Sequence, residues 1–129
     1  MRTVIKAGLT AVSALLLLAP ASSASAPMSG DDTDGSVSLY VDGKGLHVDT
    51  ITVMSDKQRN GERFRVYSHT GSAAGIVDET RWKTAKFHSY GLTKIAEASW
   101  KINRNFADGT WLCATAAKSD GNPCIKVHR

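Results

Sequence analysis

At 129 residues with a formal net charge of +4, the chain is long enough for one domain with its own core and too short for two of ordinary size. Half of that charge sits on Arg2 and Lys6, at the head of an export leader; beyond them 14 basic side chains face 12 acidic ones, a balance that argues against nucleic acid as a partner. The residual charge is segregated: residues 27–56 carry six Asp and one Lys, whereas residues 57–129 carry 13 basic and six acidic side chains. Such a field can steer an anionic partner, although scattered solvated charge is the simpler reading.

The first element in the chain is the leader. Arg2 and Lys6 precede an apolar run from Ala7 to Ala19, and small residues follow Pro20, the order of a cleaved secretory signal. The run is shorter than the roughly 20 residues a membrane-spanning helix needs, and no later stretch approaches that length, so no membrane span is expected. Cleavage is possible after Ala21, Ala24 or Ala26, with Ala24 favoured, giving a signal peptide over 1–24 and a secreted, extracellular product. Residues 25–36, polar and small, read as a flexible lead-in. Asp32-Thr33-Asp34-Gly35 has the beginning of a calcium loop, but Val41 stands where the bidentate carboxylate belongs. No metal or cofactor is expected.

From residue 37 to 129 apolar residues mostly alternate, with Gly, Asn and Asp between the runs, which is the signature of strands. Val37, Leu39 and Val41 share one face. In the next run Leu46 and Val48 lie on one parity and Ile51 and Val53 on the other, so a bulge near Asp49 and Thr50 is required to bring them to one side. Asn60-Gly61 predicts a turn that pairs a strand over 62–69 with the preceding one. That strand buries Phe64 and Val66 and shows Arg63, Arg65, Tyr67 and His69 on its other face. Trp82 to Ser89 reads as a weaker strand with Phe87 inward. Residues 92–103 fit either a strand or a short helix over 93–101; the following Asp108-Gly109 favours the strand.

The C-terminal hairpin is the most tightly specified part. In an exported chain Cys113 and Cys124 read as one disulfide, and closing so short a loop contributes about 3 kcal/mol in the chain-entropy account. If the two cysteines are directly opposed, Leu112 faces Ile125, Thr110 faces Val127 and Trp111 faces Lys126. Trp111, Cys113, Cys124, Lys126 and His128 then share the face opposite Leu112, Ala114, Ile125 and Val127. The Gly109-Thr110-Trp111-Leu112-Cys113 segment behind an Ala-rich leader resembles small exported bacterial proteins in general, a likeness too broad to transfer any functional residue.

The expected architecture is thus all-β: a small antiparallel β-sandwich of six or seven strands with a disulfide-linked C-terminal hairpin, or, with the helix, an α+β domain. None of the sequence patterns of hydrolases, phosphate-binding loops or zinc sites occurs, and His47, His69, His88 and His128 are far apart. The favoured function is non-catalytic binding outside the cell, inhibitor- or toxin-like, with an extracellular protein or a cell-surface glycan as partner. The candidate surface is Trp111, Lys126 and His128, with Arg63, Arg65, Tyr67 and His69 as a second face. A secreted ribonuclease using Glu62, Arg63, Arg65 and His69 is the enzymatic alternative, weakened because Glu62 has the opposite parity. A carbohydrate- or cell-wall-binding module built on Tyr40, Tyr67, Trp82, Tyr90, Trp100 and Trp111 is another. The basic and aromatic residues interleaved from Arg81 to Lys94 raise single-stranded nucleic acid, which export disfavours.

Overall fold

The computed structural model describes residues 29–71 and 75–129; the expected signal peptide over 1–24 and the start of the expected lead-in fall outside them. Ten strands are present among the described residues: β1 (Gly30–Asp34), β2 (Val37–Lys44), β3 (His47–Ser55), β4 (Arg63–His69), β5 (Val77–Asp78), β6 (Lys83–Thr84), β7 (Lys86–Tyr90), β8 (Thr93–Asn105), β9 (Trp111–Ala116) and β10 (Cys124–Lys126). They form two antiparallel sheets, one ordered β1-β2-β3-β8-β7 and the other β10-β9-β4-β5, with β6 also pairing β4. Residues 93–105 are a strand, so the helical alternative is set aside.

Alternation accounts for the core. Val37, Leu39 and Val41 from β2, Val48, Ile51 and Val53 from β3, and Ala96 and Ala98 from β8 meet Phe64, Val66, Leu112, Ala114 and Val127 of the facing sheet, all buried. The phase change in β3 is absorbed at the expected place. Asp42 pairs Thr50 while Gly43 pairs Val48, leaving Asp49 as the extra residue, so Val48 and Ile51 point the same way.

Three expectations are corrected. Residues 30–34 are not part of a flexible lead-in: they pair with β2 in full register, and their carboxylates are used locally. Asp32 Oδ2 accepts the Cys124 N–H at 3.0 Å and Asp34 Oδ2 the Asn122 N–H at 2.8 Å, so a segment with nothing apolar to bury is held by hydrogen bonds instead. The strand β4 does not pair with β3, because β2 and β8 occupy both edges of β3; the turn at Asn60-Gly61 carries the chain to the other sheet, where β4 pairs β9. The expected strand over 82–89 is split: Lys83–Thr84 pair β4, Lys86–Tyr90 pair β8, and Ala85, its N–H bonded to the Glu62 carbonyl, marks the crossing between sheets. Phe87 shares the face of buried Ala96 but, on an edge strand, is 46% exposed rather than buried. The short β5 and β6, with β1, raise the strand number above the six or seven expected.

Glu62 stands at the junction of these parts. It is buried, and its carboxylate accepts hydrogen bonds from Arg63 N (3.0 Å), Lys118 N (2.8 Å) and Ser119 Oγ (2.5 Å). Ser119 Oγ also lies 3.0 Å from Ser55 Oγ at the end of β3. One side chain therefore ties the entry of β4 to the β9–β10 loop and, through Ser119, to the opposite sheet.

Candidate functional site

The hairpin register is the one that opposed cysteines require: Cys124 pairs Cys113, Ile125 pairs Leu112 and Lys126 pairs Trp111, and the disulfide is formed. On the other side of β9, Tyr67 pairs Cys113 and His69 pairs Trp111. Paired residues share a face. Arg63, Arg65, Tyr67 and His69 of β4 therefore lie on the same outer face as Trp111 and Lys126, and the two candidate faces are one surface.

Their contacts fall in two runs along one strip, adjoining where Arg65 and Tyr67 are successive residues on one face of β4. The Arg63 and Arg65 guanidinium carbons stand 5.0 and 4.7 Å from the centre of the Trp82 ring. The Tyr67 and His69 rings are 6.4 Å apart and 26° from parallel; His69 and Trp111 are 6.4 Å apart and 17° from parallel. Lys126 Nζ lies 5.8 Å from the centre of the Trp111 ring. At the strand rise, Arg63 to His69 spans about 20 Å. Arg63, Lys126 and Trp82 are exposed, while Arg65, Tyr67, His69 and Trp111 are half-buried. Such cation and aromatic contacts hold side chains in place at exposed sites for about 0.5–1 kcal/mol each.

The supporting contacts orient the strip. Asn122 Nδ2 donates to the Tyr67 hydroxyl at 3.2 Å and to the Ala114 carbonyl at 2.9 Å. The Gly71 N–H donates to His69 Nδ1 at 2.9 Å, which directs the ring proton of neutral His69 to Nε2. Asp78 lies 3.5 Å from Arg65 Nη1, and Arg65 Nε is buried without a partner among the described residues. His69 also sits beside the disulfide, its ligating nitrogen and both sulfurs within 4.8 Å of one another; the sulfurs are bonded to each other, and cysteine ligates metals as the thiolate, which neither offers. His128 shares the parity of Lys126 but lies past the paired residues, exposed, with Nδ1 3.0 Å from the Arg129 carbonyl oxygen.

Trp82 figures as a site residue in the sequence only among the six aromatics of a glycan platform, and its place beside Arg63 and Arg65 is not foreseen there. Its place depends on the β4–β6 pairing, which no local pattern announces; the interleaving of basic and aromatic residues from Arg81 was the available signal. Glu62, by contrast, does not join Arg63, Arg65 and His69. It is buried on the inner side with both carboxylate oxygens occupied, so the acid–base set that a ribonuclease needs is not assembled from these four residues.

A second polar cluster lies on the other sheet, where the bulge at Asp49 faces an irregularity in β8. His47 Nδ1 is 2.7 Å from Asn105 Oδ1, and Nε2 is 3.0 Å from Asn103 Oδ1 and 3.2 Å from Asp49 Oδ1. Asn103 holds a left-handed φ of 46°, a conformation that costs a non-glycine residue about 1 kcal/mol. Acceptors on both ring nitrogens favour the imidazolium, and the His47 pKa is raised from its ordinary value of 6.5, above all by Asn105, then by Asn103 and Asp49 against some desolvation. A raised folded-state pKa adds stability that is complete below the unfolded value near 6.5 and disappears as pH rises through the folded value. The expected NMR titration midpoint of His47 is above 6.5, falling towards it in Asn105→Ala; an unchanged midpoint in that variant would mean the Asn105 bond is not its main cause.

Comparison with protein-family models, curated proteins and solved structures returned no match for this chain.

Proposed function

We propose that this protein is an exported, non-catalytic binding module whose ligand is an acidic glycan, a chain of sugar rings carrying negative charge on a cell surface or in a cell wall. The observation that carries this reading is the union of the two residue groups into one strip, from Trp82 through Arg63, Arg65, Tyr67 and His69 to Trp111 and Lys126. Aromatic rings offer large contact area at little entropic cost, and cations at both ends of the strip complement carboxylates or phosphates spaced along a polymer. The length of about 20 Å suits several successive sugars rather than one. Export is supported by the leader and by the disulfide, which belongs to oxidising compartments.

The hydrolytic set read from the sequence is not supported, because Glu62 is spent inside the fold and the carboxylate that does lie on the strip, Asp78, faces Arg65 at 3.5 Å. Affinity electrophoresis in gels containing polygalacturonate, alginate or hyaluronate, beside neutral cellulose and chitin derivatives, tests the proposal. Retardation by the acidic polymers, weakening with salt, is expected. Trp111→Ala is expected to lower affinity about 30-fold, the loss of a central aromatic contact of about 2 kcal/mol. Equal retention by neutral polymers, no retention at all, or RNA turnover that His69→Ala abolishes would each overturn it.

A further inference from the structure

We infer that the tip of the β7–β8 hairpin is an insertion point for an anionic lipid bilayer, separate from the aromatic strip and independent of its ligand. The segment from Thr80 to Ala96 holds Arg81, Lys83, Lys86 and Lys94 and no acidic residue. Phe87, Tyr90 and Leu92 within it are 46%, 61% and 102% exposed. Glu97, the first acid beyond it, is taken by His88 at 3.1 Å.

Leu92 has no role in the fold. Tyr90 pairs Thr93, leaving Gly91 and Leu92 as a two-residue loop, and Gly91 has a φ of +65° while Leu92 is not left-handed. That is the pattern of a type II′ turn, which demands glycine first and places no apolar requirement on the second position. A leucine there forgoes all the burial energy its side chain can supply, and it gains that energy only when something covers the apex.

The arrangement around the apex distinguishes a medium from a flat ligand. By strand parity Phe87 lies on one face of the hairpin, with Ala96, and His88 and Tyr90 on the other. A single nucleic-acid strand or a carbohydrate chain stacks on one face, whereas a lipid surface surrounds the tip. At about 3.3 Å per residue, Leu92 leads, Tyr90 follows at the headgroup level where amphipathic rings are favoured, and Lys94 lies about 7 Å behind the apex, within reach of lipid phosphates. Lys86, further back, still lies in the negative surface potential and strengthens attraction at low salt.

Sedimentation with vesicles of phosphatidylglycerol and phosphatidylcholine, against phosphatidylcholine alone, tests the inference. Binding to the anionic vesicles is expected, reduced roughly tenfold or more in Leu92→Asp and about fivefold in Lys94→Glu, and unchanged in Trp111→Ala. Leu92→Trp is expected to bind as the parent does and to add a blue-shifted emission on vesicle addition. All three substitutions at the exposed tip leave the core untouched, which thermal melts verify. No sedimentation, equal binding to neutral vesicles, binding unchanged in Leu92→Asp, or a tip-dependent preference for a single-stranded oligonucleotide over vesicles overturns it. Loss of glycan binding with vesicle binding intact bears on the strip alone.

Discussion

Alanine at position 121 is expected to lower stability by about 3 kcal/mol, among the largest single-residue effects in this protein. Gly121 has a φ of +135°, and a Cβ there would stand 1.9 Å from the Asp34 carbonyl oxygen and 3.5 Å from Val37 Cβ. The obstruction is backbone, so no side chain can swing aside. Around the same point Asn122 N donates to Asp34 Oδ2 and Ser36 N donates to the Asp120 carbonyl at 2.9 Å. The added methyl separates the β1–β2 turn from the β9–β10 loop and releases these bonds together. Thermal unfolding should show a drop of about 15 °C for a domain of this size. Gly30→Ala, with nothing within 4 Å of its added Cβ, provides the control; if both variants melt alike, the contact between β1 and the disulfide hairpin contributes little.

The second large effect is expected from Glu62→Ala, about 3–4 kcal/mol. The substitution leaves the N–H groups of Arg63 and Lys118 and the Ser119 hydroxyl facing a hole, and a buried donor without an acceptor costs about 1–3 kcal/mol. Glu62→Gln keeps the shape and an acceptor oxygen for Arg63 and Lys118 and offers an NH2 that the Ser119 hydroxyl can accept, but loses the charge that strengthens these bonds, so an intermediate loss is expected. Denaturant unfolding of the three proteins orders them parent, Gln, Ala. A Glu62→Ala variant as stable as the parent would show that water or loop movement satisfies those donors. Because Glu62 braces the β9–β10 loop, the alanine variant is also expected to loosen Asn122, which orients Tyr67 on the strip.

Much of the molecule could be read from local pattern. The β3 bulge was visible because apolar residues change parity between Val48 and Ile51, and burial tolerates only one solution. The hairpin register followed from Cys113 and Cys124, since a disulfide between opposed strands fixes every neighbouring pair. The strand over 93–105 was visible in the alternation of Ala96, Ala98, Trp100 and Ile102, although the same residues also fitted a helical face. Two local readings failed for one reason: Phe87 and residues 30–34 belong to sheet edges, where side-chain chemistry does not announce a partner. At β1 the partner is the hydrogen-bonding capacity of β2 and of Asn122 and Cys124, not an apolar surface.

The site itself divides the same way. That Arg63, Arg65, Tyr67 and His69 share a face is a consequence of alternation along β4 and holds whatever it pairs with, and that Trp111 and Lys126 share one follows from the hairpin register that opposed cysteines require. Their union into one strip, the addition of Trp82 and the removal of Glu62 to the interior depend on β4 lying between β9 and β6 rather than beside β3. Strand order is a competition among edges for backbone partners, and every strand offers the same N–H and C=O groups to all of them. Side-chain pattern selects which face is buried; only the assembled sheets select which neighbour each strand keeps, and hence which surfaces become one.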